Sequence, residues 1–457
     1  MFPDQNNQPT QFPLLRPAAP VPPVYDPNRF SWVKYLKGGA NILNEWDEKH
    51  YSSPTHAVSI AGLKLIYLND DALISQVLQD TTGKFVRSKL QAQILDPILG
   101  QGLLSVDGEV WRKQRKVMAP VFQPRQVADF EEHMRQSTER LVDQWTETPP
   151  RRALDVIPAM SSLTLDFIAN ALFGGLEAEQ HKMLANNTHR GLSRVPMLNA
   201  ALLLNPFKSH NQSISRFTFR KQIRQLDEIA QNFVRRYRDG GSSEQNTLLA
   251  RLIEAQEAEQ NSAIDQIYVR DQIATFLLAG HETTGKALAF ALYVLAFDKV
   301  RCDHLVEDIQ ANGEDSVYLD WVIKEVLRLY PPAVVINRDA AEDVELNGEQ
   351  VSKGTTLMIS PWLVNRNPET WQHADKFWPE RWETENLKQR RYSYLPFGAG
   401  PRVCIGAALA LSELKIMLAG LLKNFDFSPS DIHDVEPALA VTLSATNGIW
   451  LNVTPRK

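Results

Sequence analysis

One cysteine, carried by a glycine-rich loop to the start of an apolar helix, constrains this chain more than any other feature. The segment reads Pro396-Phe397-Gly398-Ala399-Gly400-Pro401-Arg402-Val403-Cys404-Ile405-Gly406, and the apolar stretch Ala407 to Leu422 follows. A helix start carries free N–H groups and a positive dipole end, which favour a thiolate. Gly398, Gly400 and Gly406 have no Cβ, so backbone can come close to a flat cofactor. Nearby N–H groups can donate to the sulfur and tune it. A protein holding a haem iron through one thiolate needs this arrangement. A buried core cysteine after a turn fits the same residues.

A second feature lies inside the helix expected over Ile264 to Phe297, at Ala279-Gly280-His281-Glu282-Thr283-Thr284-Gly285. Two glycines and two threonines are poor choices for a helix interior. A threonine hydroxyl can bond the carbonyl four residues back and bend or open the helix, and Thr283 is in register with Ala279. Glu282 beside Thr283 suits a proton relay; a kinked core helix with one carboxylate is the plainer alternative. A zinc reading of His281-Glu282 fails, because Gly285 stands where the second histidine would be.

Two charged patterns complete the set. Glu325 and Arg328 are three apart on one face of the helix expected over Glu314 to Tyr330, among Val322, Ile323, Val326, Leu327 and Leu329. They read as a solvated face or as a buried pair. In Trp111-Arg112-Lys113-Gln114-Arg115-Lys116, Trp111 and Arg115 share a face able to donate to carboxylates. Arg112, Lys113 and Lys116 point elsewhere and form a basic patch, either solvated or receiving an acidic partner.

The rest of the chain is organised around helices. Ala57 to Leu68, turning at Gly62, reads as a hairpin. Asp70 to about Phe297 is mainly helical. Pro331-Pro332 stops a helix, Asn347-Gly348 turns Val344–Leu346 into a strand running through Met358, and the tail from Ala438 to Val453 is β-like around Asn447-Gly448. We expect a mainly α protein with small β-sheets (α+β), with a Pro-rich extended segment at 1–30 and a single domain at 31–457. The net charge of −5 argues against general nucleic-acid binding. Only two cysteines, Cys302 and Cys404, point to a reducing, cytoplasmic setting. Residues 1–27 contain no apolar run for a signal or anchor, and no later segment reaches the roughly 20 uninterrupted apolar residues of a spanning helix.

Taken in order, these patterns resemble the cytochrome P450 haem-thiolate monooxygenases. The order is Trp-x-x-x-Arg, Ala-Gly-x-Glu-Thr-Thr, Glu-x-x-Arg, the Pro379–Trp382 segment and the Phe-x-x-Gly-x-Arg-x-Cys-x-Gly loop. The resemblance implies a P450-like fold with haem b between the long central helix and the cysteine-loop helix. It makes Cys404 the axial thiolate, with Phe397 and Gly406 beside the cofactor. Trp111, Arg115, Arg338 and Arg402 would hold the propionates. Glu325, Arg328 and Arg381 would brace the loop. Glu282 and Thr283 would form the acid–alcohol pair that serves dioxygen. Asn365-Arg366-Asn367-Pro368 departs from the family's usual His-Arg-Asp-Pro and reads as a variation in the brace.

By the same resemblance, Thr275, Leu278, Ala279, Val334, Val335 and Leu443 would line a pocket for a lipophilic substrate. A loop from Phe85 to Leu104, apolar at Ile94, Leu95, Ile98 and Leu99, would be its lid, with Gly100 and Gly102 allowing movement. Electrons would come from a separate partner, a ferredoxin with its reductase or a flavodoxin, to a monomer without a membrane anchor. A haem-thiolate isomerase or peroxygenase on the same fold, and a non-enzymatic haem-binding sensor, remain as alternatives.

Overall fold

A computed structural model describes residues 41–456, apart from 61, 148, 150–152, 193–194, 196–197, 199–210, 240–246, 259–265 and 387–389. The Pro-rich segment and the first residues expected in the long helix lie outside these. The described part is a helical body with small sheets, as expected.

The body is built around the central helix Gln266–Phe297. Its second half is buried on nearly every side, so it belongs to the core of a large protein and not to an amphipathic surface. The helix Val156–Phe173 packs along it. A Cβ on Gly285 would come within 2.7 Å of the Ser161 backbone, and one on Gly280 within 3.0 Å of Ile168. The two glycines that weaken the helix locally therefore allow this close crossing. Thr164 Oγ1 seals it by donating to the carbonyl of His281 at 2.8 Å. Among the described residues, Val156–Phe173 is long and apolar enough to cross a membrane by length and composition. Here it is a core helix.

Strands β1 (Thr55–Ile60) and β2 (Leu63–Leu68) form the expected hairpin, with Gly62 at φ 78°. Three further strands, β3 (Phe85–Arg87), β4 (Ile336–Ala340) and β5 (Thr356–Ile359), complete a sheet of order β1-β2-β5-β4-β3. One expectation is corrected here. The strand expected through Met358 breaks: Val344–Leu346 pairs with Glu349–Val351, and β5 joins the larger sheet beside β2. Gly354 at φ 84° turns the chain between them. The tail is β-structured on both sides of Asn447-Gly448, as expected. Leu443–Ala445 pairs with Pro437–Leu439, whereas Trp450–Pro455 pairs with Phe425–Pro429.

The expected lid is also corrected. It is not a loop: β3 and the helix Lys89–Leu99 occupy it, with Ile94, Ile98 and Leu99 buried. Gly100 and Gly102 serve close approach to the central helix, since Cβ atoms there would meet Asp271 Oδ2 at 2.1 Å and Thr275 Oγ1 at 2.0 Å. Asp271 accepts the N–H of Gln101 at 2.6 Å, and Gln272 accepts that of Leu103 at 3.0 Å. These buried bonds fasten the segment down.

Candidate active site

The cysteine-loop helix runs Ala407–Asn424 with Gly406 as its cap, so Cys404 sits just before a helix start. Its N–H donates to the carbonyl of Phe397 at 2.9 Å, closing the loop on itself. Gly400, at φ 72°, lies so near the Leu78 carbonyl oxygen that a Cβ would reach within 2.0 Å of it. Cys404 keeps accessible surface although atoms enclose it, as for a residue facing an internal hollow. Burial pushes its thiol up; the Gly406 N–H on the sulfur and the Arg115 cation pull the other way. Cys302 is buried, with its thiol pushed up to about 11 by desolvation, and neither cysteine is paired.

The central helix contributes the opposite wall. It stays helical through the threonine motif, and the expected opening is not seen. Thr283 Oγ1 donates to the carbonyl of Ala279 at 2.7 Å, in the register read from the sequence. Ala279 is exposed and Leu278, Gly280 and Thr283 half-buried in a run that is otherwise buried. Phe276 stacks on Phe122 at 5.2 Å, and Phe122 lies against Gly406, so one ring bridges helix and loop. Among the proposed pocket residues, Val335 is half-buried, whereas Thr275, Val334 and Leu443 are packed into the interior.

Cations gather beside this hollow. On the helix Gly108–Met118, Trp111 lies between two guanidiniums, Arg115 at 5.5 Å and Arg402 at 4.6 Å from its ring centre. Arg338 on β4 is pulled down to about 10, chiefly by burial and then by the Arg402 charge. Arg402 bonds Asp107, and Arg87 bonds Asp96 at 2.6 Å. Arg338 donates to the Asn337 carbonyl at 2.9 Å, and Arg115 is depressed by burial. Positive charge thus exceeds the acids that meet it. A thiol with an N–H on its sulfur, beside a cationic cradle, fits a flat metal cofactor bearing two carboxylates.

The Glu-x-x-Arg pair is buried, not a solvated face. Glu325 and Arg328 are both 0% exposed. Arg381 Nε reaches Glu325 Oε1 at 3.1 Å, and the Trp378 N–H and Trp382 Nε1 donate to the same carboxylate at 2.9 and 3.1 Å. Arg328 also donates to the carbonyls of Asn365, Ala374 and Lys376 at 2.7–2.8 Å. Asn365 Nδ2 returns a bond to the Arg328 carbonyl at 3.2 Å, and its Oδ1 accepts the Leu395 N–H at 3.3 Å. Asn365, the departure from the family pattern, therefore links the brace to the cysteine loop.

Two functional candidates escape motif reading. Lys286 Nζ lies 2.5 Å from Glu282 Oε2, both side chains buried. Glu413 of the cysteine-loop helix bonds Thr284, and burial holds its carboxyl well above the usual range. Their only sequence signal is a charge inside an apolar helix. Elsewhere among the described residues Asp47, His50 and His56 bring ligand-type atoms within 4.8 Å of one another. A helix cap accounts for Asp47 and His50 there.

The family model for cytochrome P450 matches residues 22–451. Human cytochrome P450 4V2 is 28% identical over 446 residues, covering 90% of this chain and 84% of the relative. A cytokinin hydroxylase of Arabidopsis thaliana is 30% identical over 412 residues (85% and 79%), and cyclooctatin synthase of Streptomyces melanosporofaciens 29% over 396 (82% and 83%). The chain belongs to the cytochrome P450 family of monooxygenases, which bind haem b through a cysteine thiolate and use dioxygen.

Proposed function

We propose that this chain hydroxylates or otherwise oxygenates a lipophilic substrate, a fatty acid, terpenoid, steroid or aromatic compound, as one catalytic domain over 31–457. The observation that carries the reading is the Cys404 thiol, open to an internal hollow, with the Gly406 N–H on its sulfur and Arg115 beside it. Bound haem supplies reductive activation of dioxygen, placing one oxygen atom in a C–H bond and the other in water.

The chain's residues do the rest. Cys404 would hold the iron, with Phe397 and Gly406 beside the cofactor. Trp111, Arg115, Arg338 and Arg402 bind its carboxylates and keep it in register. Glu325, Arg328 and Arg381 stiffen the loop. Thr283, hydrogen-bonded to Ala279, holds a proton donor in place, and Glu282 supplies the proton. Leu278, Ala279 and Val335 present apolar surface to substrate. A relative named as a hydroxylase supports the reaction type.

Arg112, Lys113 and Lys116 are exposed on the helix that carries Arg115, which supports docking of a separate, acidic redox partner, a ferredoxin or flavodoxin, near the thiolate. Two unpaired cysteines support a cytoplasmic setting.

The test is a spectral screen of the haem-loaded protein against lipophilic compounds. Turnover of the hits with reductase, ferredoxin and dioxygen is then compared with turnover on peroxide alone. Oxygenated product from the reductase system supports the reading. Product only with peroxide assigns a peroxygenase, and ligand binding without product under either condition assigns a sensor.

A further inference from the structure

We propose that Lys286 and Thr442 position the relay acid Glu282 and tie it to the tail turn. This deepens the proton-relay reading above and rests on it.

Glu282 and Lys286 are four apart on the central helix, so they share a face. The Lys286 ammonium lies 2.5 Å from Glu282 Oε2 and 2.6 Å from Thr442 Oγ1. A buried ammonium is costly unless paired and hydrogen-bonded, and these contacts supply both needs. Thr442 belongs to the turn between the paired strands Pro437–Leu439 and Leu443–Ala445. The next residue, Leu443, donates its N–H to the carbonyl of Pro332 at 2.9 Å. One lysine therefore joins the relay helix, the tail turn and the segment leading to Val334, Val335 and Arg338.

Orientation gives the link its consequence. Thr283 keeps accessible surface, while Glu282 is buried on another side of the helix. A carboxylate clamped by an ammonium reaches the Thr283 side only when the clamp loosens. The tail turn shares that clamp through Thr442, so a shift of the turn moves the acid's partner. The other titratable groups packed nearby do not replace Lys286. His281 Nε2 is 3.8 Å from Glu282 Oε1, and burial pulls this imidazole down, leaving it neutral. The His181 charge adds to the lowering of His281, and Glu413 bonds Thr284 with its carboxyl raised by burial.

The test uses haem-loaded Glu282→Gln, Lys286→Gln, Lys286→Arg, Thr442→Val and the Glu282→Gln/Lys286→Gln double variant. Thermal unfolding of the single and double variants gives a cycle independent of turnover. Non-additive shifts are expected, because the singles each orphan a partner and the double does not. In turnover, Lys286→Gln should lower product formation about tenfold, part of what a proton-transfer group contributes. It should also displace the pH profile of product formed per donor oxidised, and Lys286→Arg should restore that profile. Thr442→Val removes the hydroxyl that receives the Lys286 ammonium and should displace the same profile in the direction of Lys286→Gln. An additive cycle with an unchanged pH profile in Lys286→Gln overturns the proposal. If Glu282→Gln alone leaves the product ratio and profile unchanged, the relay reading fails, and with it this proposal. If Glu282→Gln changes them and Lys286→Gln does not, only the present proposal fails.

Discussion

The Arg328 guanidinium grips the Glu325 carboxylate through two parallel hydrogen bonds, Nε to Oε2 at 2.9 Å and Nη2 to Oε1 at 2.8 Å. Such a fork fixes geometry as well as charge. Glu325→Ala leaves Arg328 and Arg381 buried without their carboxylate, at a cost of about 3–5 kcal/mol. Little haem-loaded protein should accumulate, measured as haem per protein and as melting temperature. Burial alone would push the Glu325 carboxyl up, but Arg328 and Arg381 outweigh it and hold it below the usual range. Its folded pKa is depressed, so its stabilisation is present above the unfolded carboxylate pKa and is lost as pH falls through the folded value.

Glu413 carries the opposite sign. Burial raises its carboxyl despite the bond to Thr284, so the folded protein binds the proton more tightly than the unfolded chain. Stability should fall as pH rises above the ordinary carboxylate range. Glu413→Gln keeps the shape and removes the titration. Its melting temperature relative to the parent should be higher at pH 8 than at pH 5. A pH-independent difference would show that the folded carboxyl is as ionised as the unfolded one across this range, so that burial does not raise it.

Cys404→His replaces a thiolate by a weaker electron donor. The reduced, carbon monoxide-treated protein should lose the red-shifted Soret band of thiolate ligation. Survival of that band would move the ligand away from Cys404.

Thr283→Ala keeps the helix, because alanine is the better helix former. Haem content and substrate affinity should persist. Donor oxidation should yield hydrogen peroxide as its main product, with little oxygenated substrate. The measurement is product and peroxide per donor consumed. Full coupling in this variant would pass the positioning role to another group, such as Thr284.

Lys113→Glu with Lys116→Glu should slow electron delivery from an acidic redoxin and leave substrate binding unchanged. The parent rate should fall with added salt, since exposed charges are screened over roughly 8–10 Å at physiological ionic strength. A salt-independent parent rate would place docking on another face.

The legible parts were those in which chemistry or turn geometry demands particular residues close together in sequence. The Cys404 loop, the Thr283–Ala279 register, the Gly62 hairpin and the helix stop at Pro331-Pro332 all obey local rules. The illegible parts depend on partners far along the chain. β3 was hidden because it is three residues long and exists by pairing with β4, as in Arg87 against Arg338. The burial of Glu325 and Arg328 follows from backbone carbonyls and indoles of the 365–382 segment. Helix spacing cannot reveal these. Gly100 and Gly102 looked like hinges because glycine permits both movement and close approach, and only Asp271 and Thr275 distinguish the two.

The nearness of Arg115 to Cys404 has a consequence during synthesis. Arg115 is made well before Cys404, with a long stretch of chain between them. A nascent chain that stops short of Cys404 has no thiol, so cofactor capture is a late event that follows closure of these long-range contacts. Until then the apolar walls and basic helix stand open to solvent. Scarcity of haem should therefore appear as loss of full-length chains to chaperones and proteases, not as shorter nascent products.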